Sequence, residues 1–372
     1  MDTIKKLHPL AKATLVLLSI TLFIYGLIQI KNFLYPIAFG LLIAYLLYPF
    51  VNFLEKHGFP RVFANLIAIL FAIVIVGGVF LFFYEQFSHL VQNFSQLKER
   101  ANNNIENLQH SLERIFRLKD NGIENFLKQQ INQLFGGGGL AEIFKATAGT
   151  IIRILILPVY VFLFLYYRTK FAYFIMKIVN KENKGNALNI LRDISTVATK
   201  YMVGMTIVVL ILCCLNSVGL LIIGIKYAIL LGIVSAFFDF IPYFGTAMGG
   251  SLTLIFVLLT SENPSHYALK IVIYYLIIQF IENNILTPNI VGGNVSINPF
   301  FIITGLVMGS MIWGIPGMLV TVPFLAITRI ICSNIGVLEP YSFLLGPRGT
   351  RKHVINYKKI KSFIKRIVHK GV

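Results

Sequence analysis

Charge is scarce in this chain, and acidic charge scarcest. Only 13% of the 372 residues are charged, where ordinary globular chains hold about 25%, so a soluble fold with a fully solvated surface is excluded. The 15 acidic residues are outnumbered by 33 basic ones, a formal net charge of +18. No zinc-finger, ribonucleoprotein or basic-zipper pattern accompanies that excess, and nucleic acid is not an expected partner. There are three cysteines, two of them adjacent inside an apolar run (Cys213, Cys214) and one closing another (Cys332). They read as small buried hydrophobes rather than a disulfide framework. A G-x-S-x-G elbow, an H-E-x-x-H zinc pair and a Walker loop are missing, so no enzyme activity, metal or cofactor is expected. The glycine run 136–139 lacks the Lys and Ser or Thr of a phosphate loop and reads as a hinge.

What the chain has in abundance is apolar length. Hydrophobic residues make up 56% of it and the mean hydropathy is +0.76. Runs such as 14–30, 62–84 and 205–225 are long enough, as helices, to cross a hydrocarbon core of about 30 Å. The fold class is therefore all-α, a polytopic transmembrane helical protein. Further spans are predicted near 33–53, 150–167, 228–259, 268–282 and 299–330. Segments 228–259 and 299–330 are too long for ordinary spans, and I-P-Y-F-G at 241–245 and W-G-I-P-G at 313–317 interrupt them. Each fits either a broken crossing or a re-entrant hairpin. The first apolar run follows Lys5, Lys6 and Lys12 but is too long for a signal peptide and lacks a cleavage site, so it reads as the first span.

Lys and Arg beside spans disfavour translocation. Lys5, Lys6 and Lys12, then Lys56 and Arg61, then the basic stretch from Arg168 to Lys200 mark cytoplasmic connections, and both termini are expected on that side of the membrane. Four regions follow: N-terminal transmembrane helices (1–84), an extracytoplasmic amphipathic insertion (85–149), a transmembrane transport core (150–347) and a basic amphipathic tail (348–372). In the insertion, Phe87, Leu90, Phe94, Leu97, Ala101, Ile105 and Leu108 recur at helical spacing, with a shorter helix predicted to return after Asp120 to Gly122. In the tail, Val354, Tyr357, Ile360, Ile364 and Ile367 share one face and lysines occupy the others, which suits a helix on an anionic lipid surface.

Polar side chains inside a bilayer need a partner or an aqueous cavity, which makes them the candidates for a pathway. Asp239 ends an apolar run just before Pro242, Tyr243 and Gly245. There it fits a midplane site at a helix break or a cap at a helix boundary. Gln279 and Glu282 are three residues apart on one helical face, followed by Asn283 and Asn284. Together they fit a solute or ion pathway, or a polar helix end. Pro288, Gly292, Gly293 and Pro299 describe an irregular connector. Gly305, Gly309, Gly314 and Gly317 suit close helix packing, while Pro316 and Pro323 are expected to kink the last segment. Trp313 fits an interfacial anchor.

The carboxy-terminal half carries F-D-F-I-P-Y-F-G at 238–245, I-E-N-N-I-L-T-P-N-I-V-G at 281–292, N-P-F at 298–300, G-I-P-G at 314–317 and V-P at 322–323. With Y-L-L-Y-P-F-V-N-F-L-E-K-H-G-F-P-R at 45–61, L-P-V-Y-V-F-L-F-L at 157–165 and Y-M-V-G at 201–204, this order resembles the autoinducer-2 exporter family of bacterial membrane transporters. The chain departs from that pattern at Tyr166, Tyr167 and Arg168, where relatives more often carry an acidic residue, and at Thr246, where a proline often follows the glycine. The resemblance implies a secondary transporter that exports a small polar solute such as autoinducer-2, coupled to an ion gradient. A sodium or lithium ion/proton antiporter is the alternative within the family, and a non-transporting scaffold the alternative outside it. The expected partners are a small-molecule or ion substrate and the lipid bilayer, and a homo-oligomer fits as well.

Overall fold

A computed structural model describes residues 8–93, 96–106, 139–292 and 297–347, and among these residues the secondary structure is entirely helical. The basic tail, the returning helix of the insertion, the glycine run before residue 139 and Gly293 lie outside the described residues. The chain runs through α1 (Pro9–Gln29), α2 (Lys31–Lys56), α3 (Arg61–Gln92), α4 (residues 96–106), α5 (Gly139–Ile178) and α6 (Lys184–Ile223). It continues through α7 (Ala228–Phe238), α8 (Gly245–Thr260), α9 (Pro264–Ile281), α10 (Thr287–Ile290), α11 (Pro299–Trp313), α12 (Ile315–Asn334) and α13 (Glu339–Leu345). Five helical segments are long and apolar enough to cross a membrane, the first at Lys31–Lys56 and the last at Ile315–Asn334. The protein is a multi-pass membrane protein.

Helix α6 is the centre of the bundle. Tyr201, Met205, Val208, Leu212, Asn216 and Leu220 recur every three or four residues and are all buried, the period of a single helix face. Its part from Tyr201 to Leu212 gathers Ala236, Ile278, Ile302, Leu306, Val322 and Ala326 from α7, α9, α11 and α12 into one core. The basic stretch from Arg168 to Lys200 is a connection only at residues 179–183; elsewhere it is helix, because α5 continues to Ile178 and α6 starts at Lys184. At 40 residues, α6 is about 60 Å long, roughly twice the thickness of a hydrocarbon core.

Helices α2, α3 and α5 form a smaller core from Val51, Ala64, Ala68, Val161 and Leu165. Arg168 adds a polar contact to this core. It pairs with Glu55 at the end of α2 and lies 5.1 Å from the centre of the Tyr48 ring, while Arg61 approaches the same carboxylate at 3.5 Å.

Both interrupted segments fold as antiparallel hairpins. In the first, Gly249 of α8 packs on Ser235 of α7, and Gly245 packs on Phe238 and Asp239. In the second, Gly305 faces Thr321 and Leu325, and Gly309 faces Gly317. Helix α7 has 11 residues, about 16 Å, too short to cross a hydrocarbon core of roughly 30 Å. The turn of the second hairpin is Gly314, at φ 68° and ψ −144°, a conformation open to glycine and costly for other residues. Gly314 therefore makes the bend rather than a close helix contact, unlike Gly305, Gly309 and Gly317. Pro316 lies in the first turn of α12, where it starts the helix instead of kinking it; Pro323 is buried inside that helix. Trp313 is partly buried, packs with Ala38, Leu42 and Val320, and donates to the Leu27 carbonyl at 3.1 Å. It ties α1 to the second hairpin.

Candidate functional site

The tip of the first hairpin meets the end of α9. Asp239 closes α7, its amide donating to the Ala236 carbonyl at 3.1 Å. The chain then turns through Pro242 and Tyr243, and Tyr243 takes φ 69°, an uncommon value for a side chain that is not glycine. Gly245 opens α8, its amide donating to the Ile241 carbonyl at 3.0 Å. A Cβ at position 245 would overlap the Cα and Oδ1 of Asp239, so glycine lets the turn close on the carboxylate. On the other side, α9 gives way at Glu282 to a single π-helical turn, Glu282–Leu286. Such turns widen a helix locally and are frequent at functional sites.

These elements bring Asp239 and Glu282 together around one hydroxyl. Thr246 Oγ1 lies 3.0 Å from Asp239 Oδ1 and hydrogen-bonds Glu282 Oε2 as well. Asp239 is 1% exposed and Glu282 8%. A threonine hydroxyl carries one hydrogen. It donates to one carboxylate, and the second contact is complete only when the other carboxyl brings a proton of its own. Asp239 Oδ2 is buried and has no hydrogen-bond partner among the described residues, nor does any Lys or Arg there pair with either carboxylate. Two acidic groups out of water, with no Lys or Arg paired to them among the described residues, are chemically able to exchange a proton or a cation.

The same seam continues away from the tip as a run of neutral polar side chains. Asn216 of α6 donates to Ser235 Oγ at 3.0 Å, and Ser235 donates to the Gly232 carbonyl at 3.0 Å. The Tyr275 hydroxyl lies 3.0 Å from Thr253 Oγ1 and also neighbours Ser235. Asn216, Ser235 and Thr253 are completely buried.

The other candidate residues are dispersed. Gln279 is half-buried, while Asn283 and Asn284 are exposed, and Asn284 donates to the Phe280 carbonyl of its own helix at 2.9 Å. Pro288 lies in the first turn of α10, and the Gly292 amide donates to the Thr287 carbonyl at 2.9 Å. Pro299 opens α11 behind Asn298, whose side chain accepts from the Phe300 amide at 3.1 Å. Thr246, Asn216, Ser235, Thr253 and Tyr275 were missed because neutral polar residues in apolar runs draw little notice. The signal was their spacing: Ser235 to Asp239 is four residues, and Thr246 to Thr253 and Tyr275 to Glu282 are seven each, one helical face apiece.

The family profile described as "AI-2E family transporter" matches residues 17–335, nearly the whole chain. The chain belongs to that family. It is 27% identical over 312 residues to "Putative transport protein YrrI" of Bacillus subtilis, covering 81% of this chain and 86% of the relative. A Borreliella burgdorferi protein named "Putative transport protein" is 30% identical over 196 residues, covering 50% of this chain and 53% of that one. "AI-2 transport protein TqsA" of Escherichia coli is 22% identical over 324 residues, covering 86% and 91%. Family and bundle agree on a membrane transporter.

Proposed function

We propose that the chain is a secondary transporter of the bacterial inner membrane that exports a small polar solute, autoinducer-2 being the candidate, and couples that export to an ion gradient at Asp239 and Glu282. On this reading the protein is not an enzyme, both termini face the cytoplasm, residues 85–149 lie on the opposite side and residues 150–347 form the transport core. The observation that carries it is the pair of buried carboxyls on one threonine hydroxyl. One hydrogen between two acceptors leaves room for one exchangeable proton. Loss of that proton leaves two like charges in a dry seam, so deprotonation is linked to opening of the seam or to entry of a cation. The solute class is supported by the name of the Escherichia coli relative, which covers most of this chain.

The same pair supports a sodium or lithium ion/proton antiporter, since the carboxyls alone suffice for ion exchange. A scaffold has no need of a paired acid at a helix break. Purified protein in liposomes, followed in parallel for sodium-driven proton flux and for release of trapped autoinducer-2, separates these readings. Export of the solute with proton movement is the expected result. Ion flux alone selects the antiporter, and silence in both channels overturns transport through this pair.

A further inference from the structure

At the far end of the first hairpin lies a contact that the carboxylate site does not use. The hairpin has two roots: residues 224–227, which lead into α7, and residues 261–263, which leave α8. Both are held by one short stretch of chain, Asn93 and α4. Asn104 Nδ2 donates to the carbonyls of Leu259 at 3.0 Å and Ser261 at 2.8 Å, supplying partners that the end of a helix lacks within itself. Arg100 pairs with Glu262 at 2.9 Å. Asn93 donates to the Tyr227 hydroxyl at 3.2 Å, and its carbonyl accepts from the Leu97 amide at 3.0 Å where α4 begins. Tyr227 is itself in the left-handed region at φ 65°, a conformation a tyrosine keeps only when its surroundings impose it.

We propose that Asn93 and α4 form a strap across both roots of the α7–α8 hairpin, and that its release is a step in the transport cycle. The contact is built to hold and to let go. Leu97, Ala101 and Ile105, spaced four apart, are buried, and Leu259 packs against the latter two. The remaining contacts are polar, and the ion pair is open to solvent, with Glu262 73% exposed, so salt screens it. A cavity of about 180 Å³ lies between Leu97 and Arg100 on one side and Lys226, Tyr227, Glu262 and Tyr267 on the other, so the contact is not packed like a core. Thin apolar contact and exposed polar partners mark segments that open ahead of the whole fold. Helix α8, 16 residues long, carries that opening about 24 Å to the hairpin tip. A hairpin pinned at both roots cannot shift Asp239 past Glu282 as a rigid body, and an unpinned one can.

The test is a reversible bridge. In protein whose three cysteines are replaced by alanine, Arg100→Cys and Glu262→Cys are joined with a short bis-methanethiosulfonate reagent and later released with dithiothreitol. Backbone hydrogen exchange across residues 228–260 is expected to slow about tenfold in the bridged protein and recover on release, as for a segment whose local opening has been blocked. Proton flux in liposomes should stop and recover with it. Asn104→Ala, which needs no reagent, should speed the same exchange. Exchange and flux that ignore the bridge, or exchange that ignores Asn104→Ala, overturn the strap. Hydrogen exchange is read without solute or gradient, so the strap stands or falls on it even if the carboxylate reading fails in the flux assay.

Discussion

The two hairpins share an architecture and differ in what fills the space between their arms. In the α7–α8 hairpin the seam holds Ser235, Asp239, Thr246 and Thr253, and Asn216, Tyr275 and Glu282 close on it from α6, α9 and the π-helical turn after α9. In the α11–α12 hairpin the seam holds Gly305, Gly309, Gly317 and Thr321, and the Thr321 hydroxyl donates within the hairpin, at 2.7 Å to Gly317 and at 3.3 Å to Gly305. One seam is lined by groups that can exchange a proton or cation; the other is sealed by backbone against backbone. An interrupted span is thus not in itself a site. The proposed site lies where the break brings acidic side chains from different helices to one hydroxyl.

The sealed hairpin offers the largest effect. A Cβ at Gly309 would stand 2.7 Å from the Gly317 carbonyl oxygen, and backbone has little room to yield. Gly309→Val should destabilise the fold by about 3 kcal/mol, the upper end of overpacking. Thermal unfolding in detergent, followed through the fluorescence of the single tryptophan, Trp313, would read it. An unchanged melting temperature would mean that the two arms are not held against each other.

The polar hairpin should respond in the opposite manner, with transport lost and folding kept. Asp239→Asn and Glu282→Gln preserve shape while removing charge, and each should lower ion-coupled flux by at least about tenfold with little change in melting temperature. Because the pair acts as one unit through Thr246, the double variant should be hardly worse than either single one. Additive losses would assign the two carboxyls to separate steps and undo the contrast between the hairpins.

A smaller change sharpens it further. Thr246→Val keeps the volume and removes the hydroxyl between the carboxyls, leaving a buried acceptor unpaired at a cost of about 1–3 kcal/mol. Thr246→Ser should restore most of both stability and flux. Equal behaviour of the valine and serine variants would show that the hydroxyl is not the link between the two acids.

Much of this was legible in the chain. The apolar runs announced the helices because a bilayer admits few other ways to satisfy the backbone, and Asp239 and Glu282 stood out because charge in such runs is rare. The hydroxyl between them did not stand out. Thr246 drew notice only as a departure within the resemblance, and nothing in its neighbourhood pointed to residue 282. Asn216 and Tyr275 were hidden for the same reason: their partners, Ser235 and Thr253, belong to other helices. Asn283 and Asn284 were conspicuous as a polar pair, yet the π-helical turn leaves both exposed and only Glu282 buried.

By itself the sequence determined that this is a helical membrane protein, where its spans break, which family it belongs to and which two acids stand within apolar surroundings. Those are local properties of composition, periodicity and motif order. Only the tertiary structure decided that both breaks close as antiparallel hairpins, that Asp239 and Glu282, 43 positions apart in the chain, meet on one hydroxyl, and that Asn93 and α4 touch both hairpin roots. The physical reason is that burial and hydrogen bonding depend on which helix faces pack together. That packing is set by side chains distant in sequence, here the α6 stripe from Tyr201 to Leu220 and the glycines that let neighbouring helices touch.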